Sequence, residues 1–435
     1  MLRTRALVAL VAVAVLAAIP ATSLGKSARS GATPLPSSAC GPLQYKGSGS
    51  PDKIIVSDLP LQGANRALTT EMATAVQFIL AQRGWKAGKF KIGFQSCDDS
   101  TASAGSWDSA KCTSNARAYA NNKDMIGLVG TFNSGCAKLE IPILNRASGG
   151  PIPMVSPSNT YPGLTVGGPG TSKGEPGVYY PTGKRNYARV VWSDRFQGAA
   201  NAVFAKEKGV KKVFILNDKE TYGIGIATLF KRAAGKVGGI KVVGFQAWDK
   251  GATSYESLAS KIKGSGADSV FLGGIVCNNG GKLLKDLRKV LGAKFGIFGP
   301  DGWTPIDDAT IKLAGPAANG MYISQPGIPI SKLSGAGKKW AAAFAKSRGG
   351  KQPDPYTAYA AQAAEVLLTA IASSDGSRAS ASSKLFGTTI TNGILGNFKI
   401  DKNGDTTLGT VTFWVVKNGK SVLVKTITPK LSLVG

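Results

Sequence analysis

The chain has 435 residues, 43% of them hydrophobic and 18% charged, with no histidine and a formal net charge of +28. That is enough apolar side chain for one large or two ordinary domains, and it excludes a disordered polypeptide. Without histidine there can be no Ser-His-Asp or Cys-His catalytic site. The basic residues are scattered ("KGVKK", "KIKG", "KKW") without a basic block or an aromatic ladder, so the charge does not argue for nucleic acid.

In chain order, Arg3 and Arg5 precede an apolar run from Ala6 to Ile19 and then small residues around "PATSLG". The run is too short to span a membrane as an ordinary anchor, and its layout is that of a secretory signal over residues 1–25. No later stretch approaches the length of a membrane span, so the mature chain is expected to carry none and to work outside the cytoplasm. Residues 26–51 are rich in Ser, Gly and Pro and predict a linker or wrapped extension.

Export permits disulfides. Cys40, Cys97, Cys112 and Cys136 are the candidates, with Cys277 left free. Spacing cannot choose among the pairings, although Cys97–Cys112 or Cys97–Cys136 would tie together the ends of neighbouring elements. Cys40 in "SSAC" is also a conceivable lipid anchor. No spacing is C-x-x-C, so no metal site is expected, and no cofactor motif is present.

From Asp52 onward, short β-branched or aromatic runs ("KIIVSDL", "KFKIGFQS", "MIGLVGTF", "IPMVSPS") alternate with helical patterns such as Leu68, Met72, Val76, Ile79 and Leu80. The rhythm pauses at "RVVWSDRFQG" and resumes with "KKVFILND", "IKVVGFQAW", "DSVFLGGIV" and "KFGIFGPDG". A helix is predicted over Tyr356–Ser373, followed by "ILGNFKID" and a hairpin turning at "KNG". Two such series predict an α/β fold of two open parallel-sheet lobes, each with about four strands and helices on both faces.

Ligands of open α/β sheets bind beyond the carboxyl ends of the strands, which singles out four turns. "GTFNSGC" matches the start of a phosphate loop, but Cys136 and Ala137 stand where Lys and Ser/Thr are required. It leaves a helix N-terminus with Ser134 at the cap. "VSPSNTYP" offers Ser158 and Thr160. "LNDKETYGIG" places Tyr222 before a Gly-x-Gly that fails as a dinucleotide fingerprint, because Thr228 replaces the third glycine. "FGPDGW" carries Asp301 in an otherwise uncharged hexapeptide. Other chemistry is poorly supported. Ser50-x-x-Lys53 spells a Ser–Lys pair in a Gly/Ser-rich segment, and the adjacent Asp98 and Asp99 point apart. Hydroxyls and a helix N-terminus suit a carboxylate, an acidic residue suits an ammonium, and apolar neighbours suit a side chain.

In order and spacing, "GTFNSGC", "IPMVSPSNT", "NDKETYGIGIA", "GADSVFLGG", "FGPDGW", "GPAANGMYIS" and "ILGNFKIDKNGD" resemble the leucine/isoleucine/valine-binding type of periplasmic solute-binding protein, the receptor component of an ABC importer. The resemblance covers about Lys53 to Val424. It implies lobes of 52–192 plus 324–393 and of 193–323 plus 394–430, joined by three crossovers and closing over the solute. It further implies a monomer that delivers a small solute to a membrane permease. Carried over, Ser134 and Thr160 hold the ligand carboxylate, the Ser158 carbonyl and Asp301 take the ammonium, and Tyr222, Leu68 and Ile275 line the pocket. The family often has an aromatic residue near Leu68 and bulky residues near Ile275, and commonly Glu at the position of Asp301. These departures keep amides and other small polar solutes open as ligands. A sensory ectodomain of the same fold and a secreted hydrolase are the competing functions.

Overall fold

The computed structural model describes residues 31–435, so the expected secretory signal lies outside the described residues. From Gly31 onward the chain forms one compact unit. From Gly31 the extension is ordered. It runs along the third strand, held by bridges Cys40–Cys97 and Gln44–Phe94 and by the Leu35 amide donating to Gln95 Oε1 at 2.7 Å.

The first sheet is built from β1 (Lys53–Leu59), β2 (Lys86–Ala87), β3 (Phe90–Asp98), β6 (Met125–Gly130), β7 (Met154–Ser156) and β8 (Tyr187–Arg189), with a small separate ribbon of β4 (Ser100–Thr101) and β5 (Ser106–Trp107). Helices α1 (Arg66–Gln82), α2 (Ser109–Asn121) and α3 (Ser134–Asn145) fill the connections. Strand order is β2-β3-β1-β6-β7-β8, parallel throughout except for the β2 edge. β1 and β6 are buried almost end to end, as strands covered on both faces must be.

The second sheet has order β10-β9-β11-β12-β13-β16-β17. Its strands are β9 (Lys212–Asn217), β10 (Lys241–Ala247), β11 (Ser269–Gly273), β12 (Gly296–Gly299), β13 (Met321–Pro326), β16 (Val411–Lys417) and β17 (Lys420–Ile427). Around it lie α4 (Asp194–Glu207), α5 (Thr221–Val237), α6 (Glu256–Gly264), α7 (Gly280–Leu291) and the single turn α8 (Lys312–Ala314). The remainder is α9 (Gly335–Ser347), α10 (Pro355–Ala372), α11 (Arg378–Ser383), the hairpin β14 (Thr389–Gly393) with β15 (Gly396–Lys399), and the last turn α12 (Leu431–Val434).

The fold class is as expected: two α/β lobes on parallel sheets. The strand count is higher than about four each, for two reasons. The first sheet gains the short edge β2 and also β8, which ends at Arg189 where "RVVWSDRFQG" begins and pairs with β7 from Met154–Tyr187 to Ser156–Arg189. In the second sheet, β13 pairs antiparallel with β16, and β16 with β17 through the "KNG" turn, where Asn418 and Gly419 take positive φ. Both residues accept that conformation, as a tight hairpin requires. α10 follows the second sheet in sequence but packs on α1, β6 and β7 of the first. The expectation of a chain that crosses between sheets more than once is therefore met.

Disulfides join Cys40 to Cys97 and Cys112 to Cys136, and Cys277 is free. Neither pairing singled out from the sequence occurs. The extension lies against β3 and brings Cys40 to Cys97, which leaves Cys136 to clamp the first turn of α3 to α2. With its sulfur in that bond, Cys40 has no thiol for a lipid anchor.

Candidate functional site

Six of the predicted residues meet in one cavity. Ser134, Ser158 and Thr160 come from the first sheet's side, and Tyr222, Ile275 and Asp301 from the second's. Each follows the carboxyl end of a parallel strand: β6, β7, β9, β11 and β12 supply the five turns. There the strands diverge and the loops are free to carry chemistry.

The first half is a hydroxyl-rich corner. Ser134 is the first residue of α3, and Asn133, not Ser134, is the N-cap; its side chain makes no capping bond. Ser134 Oγ accepts from the Tyr161 amide at 3.3 Å. Ser158 Oγ donates to the Phe132 carbonyl at 3.0 Å, and Asn159 Nδ2 donates to the Thr131 carbonyl at 2.9 Å. These bonds lock the "GTFNSGC" and "VSPSNTYP" turns together, so the helix N-terminus and the Thr160 hydroxyl face the same space. Thr160 is 1% exposed, yet its Oγ1 has no hydrogen-bond partner within these two turns.

The second half is a buried carboxyl held by phenols. Tyr222 Oη donates to Asp301 Oδ1 at 2.5 Å, Tyr356 Oη donates to Asp301 Oδ2, and the Gly302 amide donates to Tyr222 Oη at 3.0 Å. Burial pushes the Asp301 carboxyl up, and the two phenol hydrogen bonds oppose that shift. Burial and the Asp301 charge push both phenols up, so they remain donors. Gly302 has to be glycine: a Cβ would sit 2.4 Å from the Gly274 carbonyl oxygen and 2.8 Å from Tyr222 Cε1. The Gly-x-Gly after Tyr222 also serves packing, since a Cβ on Gly223 would lie 2.0 Å from Asp218 Oδ1. Asp218 in turn fixes Ile275, accepting its amide at 2.9 Å, and burial pushes this carboxyl up to about 7.

Leu68 is not brought to this cavity. It lines a larger one, of about 250 Å³, with Glu71, Pro305 to Asp308, Asp354 and Trp414. The acids there are already engaged: Glu71 with Arg348 and Thr357, Asp307 with Ser421, Asp308 with Lys312, and Asp354 with the Tyr356 amide. The cavity at the strand ends measures about 30 Å³, the space of a water or two.

Sequence reasoning missed Tyr356, Phe132 and Asn133 in this lining. Tyr356 is the second residue of α10, whose start was legible: Asp354 caps it, accepting the Tyr356 amide at 2.9 Å, and Pro355 occupies the first turn. Its ring meets Phe132 edge-on, with centroids 5.7 Å apart. Asp194 was also missed. It opens α4 directly after the N-cap Ser193, a position where an acidic residue is an ordinary helix-start signal.

Comparison with known proteins gives the context. The profile of a family described as "Periplasmic binding protein" matches residues 59–420. An amino acid binding protein of Pseudomonas aeruginosa is 26% identical over 282 residues, covering 64% of this chain and 68% of that one. A leucine-, isoleucine-, valine-, threonine-, and alanine-binding protein of the same organism is 31% identical over 175 residues, covering 40% of this chain and 41% of its own length. Among solved structures, a leucine binding protein of Thermotoga maritima superposes with a TM-score of 0.71 at 24% identity, covering 87% of this chain and 99% of that one. A solute binding protein from R. palustris in complex with benzoate superposes with a TM-score of 0.68 at 20% identity, covering 86% and 96%. At such identities the structures establish the fold, two lobes around parallel sheets. The relatives and the fold are those of binding proteins and not of enzymes.

Proposed function

The chain belongs to the periplasmic binding protein family, with its likeness to the leucine/isoleucine/valine-binding type, and we propose from this that it is an exported receptor for a small zwitterion, in particular an aliphatic amino acid, which it hands to the permease of an ABC importer. The observation that carries the reading is the composition of the two half-sites. Hydroxyls and a helix N-terminus on one side suit a carboxylate, and a buried carboxylate on the other suits an ammonium. Ser134 and Thr160 bind the solute carboxylate, Asp301 and the Ser158 carbonyl bind the ammonium, and Tyr222, Ile275 and Tyr356 enclose the side chain.

The mechanism is closure. A cavity of about 30 Å³ is too small to admit an amino acid, so the lobes part for entry. The solute then bridges the halves and stabilises the closed state. We place the lobes at 52–192 with 324–393 and at 193–323 with 394–430. The buried polar groups reject a solute that leaves them unpaired. Among the described residues no helix is long and apolar enough to cross a membrane, in keeping with a receptor that acts outside it.

A second reading has one observation behind it. Both Asp301 oxygens already accept from phenols, so the carboxylate corner could serve a simple organic acid without an ammonium. A thermal-shift screen with leucine, isoleucine, valine, small amides and benzoate separates the two. A solute present at a hundred times its dissociation constant adds about 2.7 kcal/mol of stability. The reading predicts a rise in midpoint with aliphatic amino acids and little with benzoate. A rise with benzoate alone would replace it by the second reading.

A further inference from the structure

The cavity is backed by a second acid that the half-site description leaves without a role. Asp194 is fully buried, and neither of its carboxylate oxygens has a hydrogen-bond partner other than the Thr160 hydroxyl. Its amide donates to the Thr160 carbonyl at 2.8 Å, which pins the start of α4 to the turn that carries the Thr160 hydroxyl. The Asp194 carboxyl and the Thr160 hydroxyl lie within hydrogen-bonding reach of each other, and that hydroxyl has no other partner among the described residues. Asp301 approaches Asp194 from the second lobe with a like charge, Arg189 from β8 with an opposite one, and the Tyr222 phenol from α5. Arg189 is already committed: its Nε donates to Asp405 at 2.7 Å, its Nη1 to the Asn159 and Tyr161 carbonyls, and its Nη2 to Thr165 Oγ1.

A threonine hydroxyl has one proton to give. If Asp194 were ionised, it would draw that proton to itself and turn the oxygen lone pairs of Thr160 toward the cavity. A solute carboxylate would then meet a lone pair, with an anion behind it. If Asp194 carries a proton, the order reverses. The acid donates to Thr160 Oγ1, and the hydroxyl proton is aimed into the cavity at the solute carboxylate. A buried acid facing another acid, with its nearest guanidinium engaged elsewhere, is in the setting that favours the neutral form.

We infer that Asp194 works as a neutral carboxylic acid, a positioning residue that orients the Thr160 hydroxyl toward the carboxylate of the bound solute. The site thus holds two buried carboxyls in opposite roles: Asp301 acts through its charge and Asp194 through its proton. Burial and the neighbouring Asp301 charge push the Asp194 carboxyl well up and outweigh the Thr160 hydrogen bond and the Arg189 charge, which pull it down. It deepens the proposed function and rests on that reading.

The test uses L-leucine as probe and calorimetric titration of the full-length mature protein. An amide nitrogen can donate to Thr160 as the neutral acid does, so Asp194→Asn should keep the wild-type affinity within about threefold, whereas Asp194→Ala should lose about tenfold, the equivalent of one hydrogen bond. Once pH is high enough to ionise Asp194 the wild-type affinity should fall, while that of Asp194→Asn stays flat. An Asp194→Asn protein that loses affinity as severely as Asp301→Asn would overturn the assignment and make Asp194 a second counter-ion. Equal pH profiles in wild type and Asp194→Asn would overturn it as well. Should Asp194→Asn lack a cooperative unfolding transition, Thr160→Val takes its place, with the same flat profile expected and a retained pH slope counting against the inference. Absence of leucine binding by the wild type at every pH is a different outcome. It would refute the amino-acid reading, and benzoate, which shares only the carboxylate, would then replace leucine in the same comparison.

Discussion

Two groups of buried acids in this protein invite comparison. One is Asp301 with Asp194 at the mouth of the strands. The other lies inside the first lobe, where Asp58 on β1, Asp99 just after β3 and Glu140 on α3 gather around Tyr119 and Asn115, all essentially unexposed. In both groups burial pushes the carboxyls up, and in both the acids push on one another. Asp301 lines the strand-end cavity, where residues of both sheets converge, and none of the first-lobe acids does. The first-lobe acids are sealed between strand and helix, beside the Cys112–Cys136 bond. A strongly perturbed acid is therefore a candidate for binding here only when its oxygens are turned toward a space that a second element completes.

The comparison can be broken in four ways. Asp301→Asn should cost about 2–5 kcal/mol of zwitterion affinity, because the ammonium would face no charge in a desolvated site, while urea unfolding stays near that of wild type. Next comes the staple. Replacing Cys112 and Cys136 by Ala should remove roughly 3 kcal/mol of stability, as expected for a closed loop of this length, measured by denaturant unfolding under oxidising conditions.

The first-lobe acids should then show themselves in pH dependence. Their folded pKa values lie above the unfolded ones, so between the two the native state holds more protons than the unfolded chain. Stability should be fully present below about pH 4 and decline as pH rises through the raised values. Glu140→Gln should flatten that decline and raise the stability at pH 8 without changing solute affinity. The smallest effect is expected from Tyr356→Phe. Removing one of the two phenol donors to Asp301 should cost about 1 kcal/mol of affinity, read by titration calorimetry.

How far the sequence reached follows from the range of the interactions involved. The strand-end turns were legible because apolar runs and the residues that end them are local, and those turns carry nine of the ten lining residues. Tyr356 was not legible as a site residue. It lies 55 residues beyond Asp301, and nothing local says that α10 returns to the first lobe. Leu68 sits correctly on the buried face of α1, but the neighbouring cavity it lines depends on where Asp307 and Trp414 settle. The Cys40–Cys97 bond depends on the path of an extension with no periodicity of its own. The antiparallel β13–β16 edge depends on a strand from the far end of the chain.

The central claim is that Asp301 recognises the ammonium of a solute whose carboxylate is held by the opposite half-site. Its most direct test is calorimetric titration of wild type and Asp301→Asn at neutral pH with L-leucine and with 4-methylpentanoate, the same molecule without its amino group. The account predicts that wild type binds leucine far more tightly than the deaminated acid and that Asp301→Asn erases the difference. An Asp301→Asn protein that still prefers leucine by the wild-type margin would contradict it.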